Sequence, residues 1–104
     1  MPRIECRSVD ELTIKQISTD LTSELADFCQ IGRERFSYVP VSGEIIVDGE
    51  NGRSKPYIKV FWFKRSSDEQ KGAADIISKH FKAAGIKSLS VYFENLDRER
   101  TYKY

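Results

Sequence analysis

Histidine, tryptophan and methionine each occur once in this sequence and cysteine twice, which closes off several kinds of chemistry at the outset. A zinc site needs several His or Cys ligands at short spacings, and His80 stands alone, so it reads as a helix-surface residue. No metal and no cofactor is expected. Cys6 and Cys29 fall on different predicted elements with no Cys-x-x-Cys spacing, and read as two reduced, partly buried thiols of a cytoplasmic protein. Charge of one sign is also missing. Seventeen basic residues oppose sixteen acidic ones for a formal charge of +1, which gives no reason to expect nucleic acid as a partner. No apolar run approaches the roughly 20 residues of a membrane helix, and no signal-peptide pattern opens the chain. What remains is ordinary for a folded protein: 39% apolar residues and 12% aromatics over 104 residues. That length suits a single domain, residues 1–104, with a modest core.

Arg3 to Arg7 alternate polar and apolar, as a half-buried strand does. Ser8-Val9-Asp10-Glu11 reads as a capping box that opens a helix. Ile14, Ile17, Leu21, Leu25 and Phe28 follow at spacings of three and four and form one helical stripe. Gly32 suits the left-handed position that closes such a helix. Phe36 to Val39 is the next strand, interrupted at Pro40 and Gly43 and resumed from Glu44 to Val47. Residues 48–56 are turn chemistry and read as a hairpin loop. Tyr57 to Phe63 is the strongest strand and ends in a continuous apolar run. A strand apolar on both faces needs cover on both, and two helices cover one side only, so self-association is expected. A second capping box, Ser66 to Glu69, opens a helix with the stripe Ala74, Ile77, Phe81 and Ala84. Gly85 closes it, and Leu89, Val91 and Phe93 alternate in a last strand. Residues 97–104 form a charged and aromatic tail.

The chain repeats itself. Arg7-Ser8-Val9-Asp10-Glu11 returns as Arg65-Ser66-Ser67-Asp68-Glu69. Phe28 and Gly32 return, with the same spacing, as Phe81 and Gly85. A strand starts four residues past each glycine, and Pro2 and Pro56 stand before the two units, residues 2–47 and 56–96. Each unit is strand, helix, strand, with a connection long enough for a right-handed parallel crossover. Two such units predict an α+β fold: a two-layer β-α-β-β-α-β pseudo-twofold repeat with both helices on one face of a four-stranded mixed sheet.

The stretch from Pro56-Tyr57-Ile58 through Arg65-Ser66-Ser67-Asp68-Glu69-Gln70-Lys71 resembles the opening of 4-oxalocrotonate tautomerase, a β-α-β chain beginning Pro-Ile and carrying Arg-Ser-Asp-Glu-Gln-Lys. One extra serine here shifts the arginine by a position. With two units and Pro2 behind the initiator, the whole chain is similar to the macrophage migration inhibitory factor branch of the tautomerase superfamily, and more narrowly to an uncharacterised bacterial branch. The resemblance implies a homotrimer whose sheets enclose a central barrel-like core. It also implies an amino-terminal proline as catalytic base at a site between subunits, and Pro2 matches that position. Arg65 is nearest the family's arginine after the first strand. Arg33 approximates a lysine, and Tyr92 a polar pocket residue, of the migration-inhibitory-factor branch.

The chemistry explains the residue types. Keto–enol tautomerisation needs a base near neutral pKa and a cation for the developing enolate. A free prolyl nitrogen is a secondary amine whose protonated form is disfavoured beside positive charge. Arginine grips a carboxylate through two parallel hydrogen bonds, and Arg7 and Arg65 both sit at strand-to-helix junctions. An aromatic residue of the 61–63 run is a candidate pocket wall. With Met1 attached, the Pro2 nitrogen is an amide and cannot act as a base. The expected function is therefore tautomerisation of a small 2-keto or enol acid by Pro2 after Met1 removal, with Arg7, Arg33, Arg65 and Tyr92 binding the anionic substrate. Two alternatives stand beside it: a non-catalytic trimer that binds a small anion, and a ferredoxin-like ligand- or RNA-binding module with the same element order. Strand order separates the last from the rest.

Overall fold

The computed structural model of the chain describes residues 1–53 and 55–104. In chain order the elements are β1 (Arg3–Arg7), α1 (Glu11–Cys29), β2 (Ser37–Val41), β3 (Ile46–Val47), β4 (Glu50–Asn51), β5 (Tyr57–Phe63), α2 (Ser67–Ala83) and β6 (Ser90–Leu96), with short 3-10 turns at Arg33–Arg35 and Arg98–Arg100. The main sheet runs β2-β1-β5-β6. Within each half the two strands are parallel neighbours, β1 with β2 and β5 with β6. The halves join antiparallel through β1 and β5, with Arg3 opposite Phe61 and Arg7 opposite Tyr57. A ferredoxin-like chain would interleave its halves, so this order excludes that alternative and gives the mixed sheet expected from the repeat.

Both helices pack on one face. Ile4, Cys6, Ile58, Val60 and Trp62 point down from β1 and β5 to meet Ile14, Leu21, Leu25 and Cys29 of α1 and Ala73, Ile77 and Phe81 of α2. Burying each large apolar side chain in this layer contributes about 1.5–3 kcal/mol. The one buried polar residue among those described, Thr22, is satisfied by the Tyr38 hydroxyl at 2.9 Å. Three stripe positions, Phe28, Ala74 and Ala84, differ from the predicted ones. Phe28 is 43% exposed and lays its ring over Gly72 of α2, while Cys29 takes the buried place. In α2 the buried alanine is Ala73, and Ala84 is exposed. From Leu21 in α1 and from Ala73 in α2 the buried line follows steps of four, so residues three past it lie at its edge.

The ends of α1 also depart from expectation. The helix begins at Glu11 with Asp10 at its N-cap, beyond the predicted Ser8 cap. Its left-handed closing residue is Gln30 (φ 55°), not Gly32 (φ −60°). The Gln30 amide donates to the Asp27 carbonyl at 2.7 Å, a local bond that helps a residue other than glycine hold this conformation. In α2 both signals hold: Ser66 Oγ accepts from the Glu69 N–H at 3.1 Å, and Gly85 closes the helix with φ 102°.

Pro40 does not interrupt β2 but lies inside it, which an edge strand tolerates because one side of its backbone is unpaired. Asp48 and Gly49, both at positive φ, make the tight turn between β3 and β4, so part of the predicted 48–56 loop is strand. Ser54 of that loop lies outside the described residues. On the sheet face away from the helices, Tyr57, Phe61 and Phe63 are half-buried. Cations and another ring cover them within the chain. Arg3 stacks over Phe61 at 4.6 Å, Arg98 over Phe63 at 4.0 Å, and Tyr92 meets Tyr57 edge-on at 5.7 Å.

Candidate active site

Pro2 ends up buried because β1 begins immediately after it and runs beside β2. Its carbonyl accepts from the Ser37 N–H at 3.3 Å. Beside it opens a cleft of about 880 Å³. Four segments close around this space. The end of β5 and the start of α2 supply Trp62, Phe63, Lys64, Arg65, Ser66 and Glu69. The turn after α1 supplies Gln30, Ile31, Gly32 and Arg35, the tail supplies Arg98 and Lys103, and the amino terminus supplies Met1 and Pro2.

Five of these side chains are cations: Arg35, Lys64, Arg65, Arg98 and Lys103. Glu69 is the single carboxylate. It already belongs to Arg65, whose Nη1 donates to Glu69 Oε2 at 2.7 Å and to the Cys29 carbonyl at 3.0 Å. The Arg65 guanidinium, helped by the Ser66 hydroxyl, holds the Glu69 carboxyl below the usual carboxylate range. Bonding through one nitrogen leaves Nη2 and Nε of Arg65 without a partner among the described residues. Those two groups make the fork that matches a carboxylate. Among the described residues, none of Arg35, Lys64, Arg98 and Lys103 forms an ion pair. The cleft is therefore strongly electropositive in a chain that is almost neutral overall. Trp62 forms a rigid part of its wall, since the indole N–H donates to Asn95 Oδ1 at 3.0 Å.

Of the residues named from sequence, Pro2 and Arg65 come together here. Arg7 lies at the other end of β1, about 16 Å away by strand rise. It borders a second cleft of about 550 Å³, where its guanidinium donates to the carbonyls of Ser42 at 3.4 Å and Gly43 at 3.0 Å. Arg33 donates to Ser23 Oγ at 2.8 Å and to the Thr19 carbonyl at 3.4 Å on the flank of α1. Tyr92 is 54% exposed on the outer sheet face. Sequence reasoning missed Arg35, Lys64, Glu69, Arg98 and Lys103. A signal for two of them existed: Arg-Glu-Arg occurs twice, as Arg33–Arg35 and Arg98–Arg100, and each forms a 3-10 turn that lends one arginine to the cleft.

Other reactive groups are placed for structure. Burial pushes the Cys6 thiol up to about 12, with a smaller contribution from the charge of Glu5, and burial also raises Cys29, so neither is an activated nucleophile. His80 Nε2 lies 2.9 Å from Glu24 Oε1, and Lys79 donates to Glu24 Oε2 at 2.6 Å, which ties α2 to α1. Among the described residues no group of three His, Cys, Asp or Glu side chains is placed to hold a metal ion, and no helix is long and apolar enough to cross a membrane.

Comparison with known proteins places this geometry. Among curated proteins there is no match. Among solved structures, the chain is similar to a Domain of unknown function (DUF1904) protein from Sebaldella termitidis, with a TM-score of 0.87 at 22% identity over 99% of this chain and 95% of that one. It is similar to a protein of unknown function from Vibrio cholerae, with a TM-score of 0.84 at 22% identity over 98% and 83%. It is also similar to a fused 4-OT, described as an asymmetric trimer, with a TM-score of 0.73 at 16% identity over 91% and 86%. At such identities the likeness is one of fold: two helices on a four-stranded mixed sheet, a tautomerase-like fold. The family model described as Domain of unknown function (DUF1904) matches residues 1–104, end to end, and the chain belongs to that family.

Proposed function

We propose that this protein interconverts the keto and enol forms of a small 2-keto acid, with the Pro2 nitrogen as base once Met1 has been removed. The observation that carries the reading is the burial of Pro2 at a cleft with five cations and one already-paired carboxylate. Removing Met1 turns the Pro2 amide into a secondary amine. Surrounding cations disfavour its protonated form, so the amine stays free to accept a proton near neutral pH. The unpartnered edge of Arg65 grips the substrate carboxylate. The amine takes a proton from the carbon beside the keto group, and the C–H electron pair becomes the new double bond. The enolate oxygen receives the displaced charge, stabilised by the nearby cations, and takes the proton back from the protonated Pro2 amine, which completes the enol and frees the base.

The tautomerase fold supports a homo-oligomer, and we take a trimer as its form, with cytoplasm as its place given two unbridged buried thiols. Arg7, Arg33 and Tyr92 stand outside the cleft of one protomer and take part only where a neighbouring protomer carries them to it. A second reading, a non-catalytic anion-binding trimer, draws on the fact that Arg65 and the other cations do not depend on a free amino terminus.

The test begins with the amino terminus of the protein from its native source, read by mass spectrometry, followed by an assay of processed protein with phenylenolpyruvate. Pro2→Ala should lower kcat by about 10²–10⁴-fold. An unchanged rate removes Pro2 from the mechanism, and a native chain that keeps Met1 favours the binding reading.

A further inference from the structure

The tail has no counterpart in the first half of the repeat, and the core does not need it: residues 97–104 are all exposed. It is nonetheless shaped. Asp97 Oδ1 accepts from the Glu99 N–H at 2.9 Å, the Asp97 carbonyl accepts from Thr101 Oγ1 at 2.8 Å, and the Arg100 N–H closes on that same carbonyl at 3.0 Å. This turn brings the Arg98 guanidinium carbon over the Phe63 ring, 4.0 Å from its centre, at the rim of the Pro2 cleft, and Lys103 follows it into the lining. Among the described residues the Arg98 side chain donates no hydrogen bond, so its N–H donors stay open to a ligand. Of the tail carboxylates, Asp97 Oδ2 faces Arg100 at 3.8 Å, and among the described residues Glu99 forms no ion pair with Arg98. Two tail cations thus line the cleft with no ion-pair partner among the described residues. A substrate with one carboxylate occupies that fork and leaves these two unmatched.

We infer that Arg98 and Lys103 form a second anion subsite of the cleft, which selects ligands with two negative groups, the second a carboxylate or a phosphate, over ligands with one. The inference rests on the reading of the cleft as an anion site, but not on Pro2 chemistry. Trp62 is the only tryptophan and lines the cleft, so its fluorescence reports occupancy.

The experiment titrates succinate, 2-phosphoglycolate and butyrate at constant ionic strength into the full chain, followed by Trp62 emission and by calorimetry. Succinate or phosphoglycolate should bind about tenfold or more tightly than butyrate, the size of one added charge-assisted contact. Whichever of the two is tighter identifies the second group. In the Arg98→Gln/Lys103→Gln double variant the preference should fall towards one while butyrate affinity stays put. Circular dichroism confirms that this exposed pair of changes leaves the fold intact. Equal affinities in the unaltered chain, a preference that survives the double change, or no binding by any of the three overturns the subsite. Repeating the titration in Pro2→Ala separates the two proposals. Turnover undiminished in Pro2→Ala with the preference kept breaks the catalytic reading alone, and turnover lost in Pro2→Ala with no effect of the tail on binding breaks the subsite alone.

Discussion

Arg7 and Arg65 occupy matching places in the two halves, each at the end of a central strand and the start of a helix, yet they do different things. Arg7 spends its guanidinium on the carbonyls of Ser42 and Gly43, past the end of the parallel neighbour β2. Arg65 is drawn to a carboxylate and to the carboxyl end of α1, and keeps its other edge open. The helices follow suit. Ser66 caps α2 through its side chain, and Phe81 is fully buried. At α1 the cap residue Asp10 makes no side-chain cap bond, and the equivalent Phe28 is partly exposed. The lesson is that one half keeps its motif for the cleft, while the other has loosened at both helix ends and engaged its arginine with its own backbone.

Equivalent substitutions in the two halves test that contrast. The largest difference is expected in the core: Phe81→Ala should cost about 3–5 kcal/mol in urea unfolding. Phe28→Ala, which opens no buried cavity, should cost under about 1 kcal/mol. Equal costs would mean that Phe28 is buried in solution, most simply by another protomer. Next comes turnover. Arg65→Ala should lower kcat/KM by about 10²–10³-fold, the usual loss for a preorganised donor to developing charge. Arg7→Ala should change it less than about twofold if Arg7 contacts only backbone carbonyls, and a large loss would place Arg7 in a shared site between protomers.

Caps give a smaller contrast. Ser66→Ala should destabilise by about 1 kcal/mol, and Asp10→Ala by less than about 0.5 kcal/mol, because Asp10 supplies no cap bond to lose. The smallest expected effect is on acid stability. Glu69 is held below its ordinary value near 4.5, chiefly by Arg65. A carboxyl held low in the folded state stabilises it above that ordinary value, and the contribution is lost as pH falls through the lowered one. Glu24, held low chiefly by Lys79 and then by His80, behaves the same way. Glu69→Gln should therefore flatten the fall in stability below about pH 4.5, measured by denaturant midpoints from pH 3 to 7. Being an exposed group, it should do so only slightly.

Local pattern made much of this legible. The alternation of β1 and β6, the capping box at Ser66, the turn residues Asp48-Gly49 and the internal repeat are properties of neighbouring residues, and each reappears in the structure. So does the order of the elements, from which the strand pairing within each half follows by the length of the crossover. Pro40 and Gly32 depart from what local pattern predicts for a shared reason. Whether a proline breaks a strand depends on whether that strand lies at the edge of the sheet, and whether a glycine closes a helix depends on what its neighbours can bond to.

From the order of its residues alone, this chain was set as two strand–helix–strand units with Pro2 at the head of the first strand and Arg65 at a strand-to-helix junction. Periodicity and capping act over a few residues, so they can be read without the fold. The charge of the cleft could not be read that way. Arg35, Arg98 and Lys103 come from segments far apart in the chain, and only the closing of the sheet, the turn after α1 and the fold-back of the tail bring them near Pro2. Electrostatic fields add through space rather than along the sequence, which is why a nearly neutral protein holds one strongly cationic hollow.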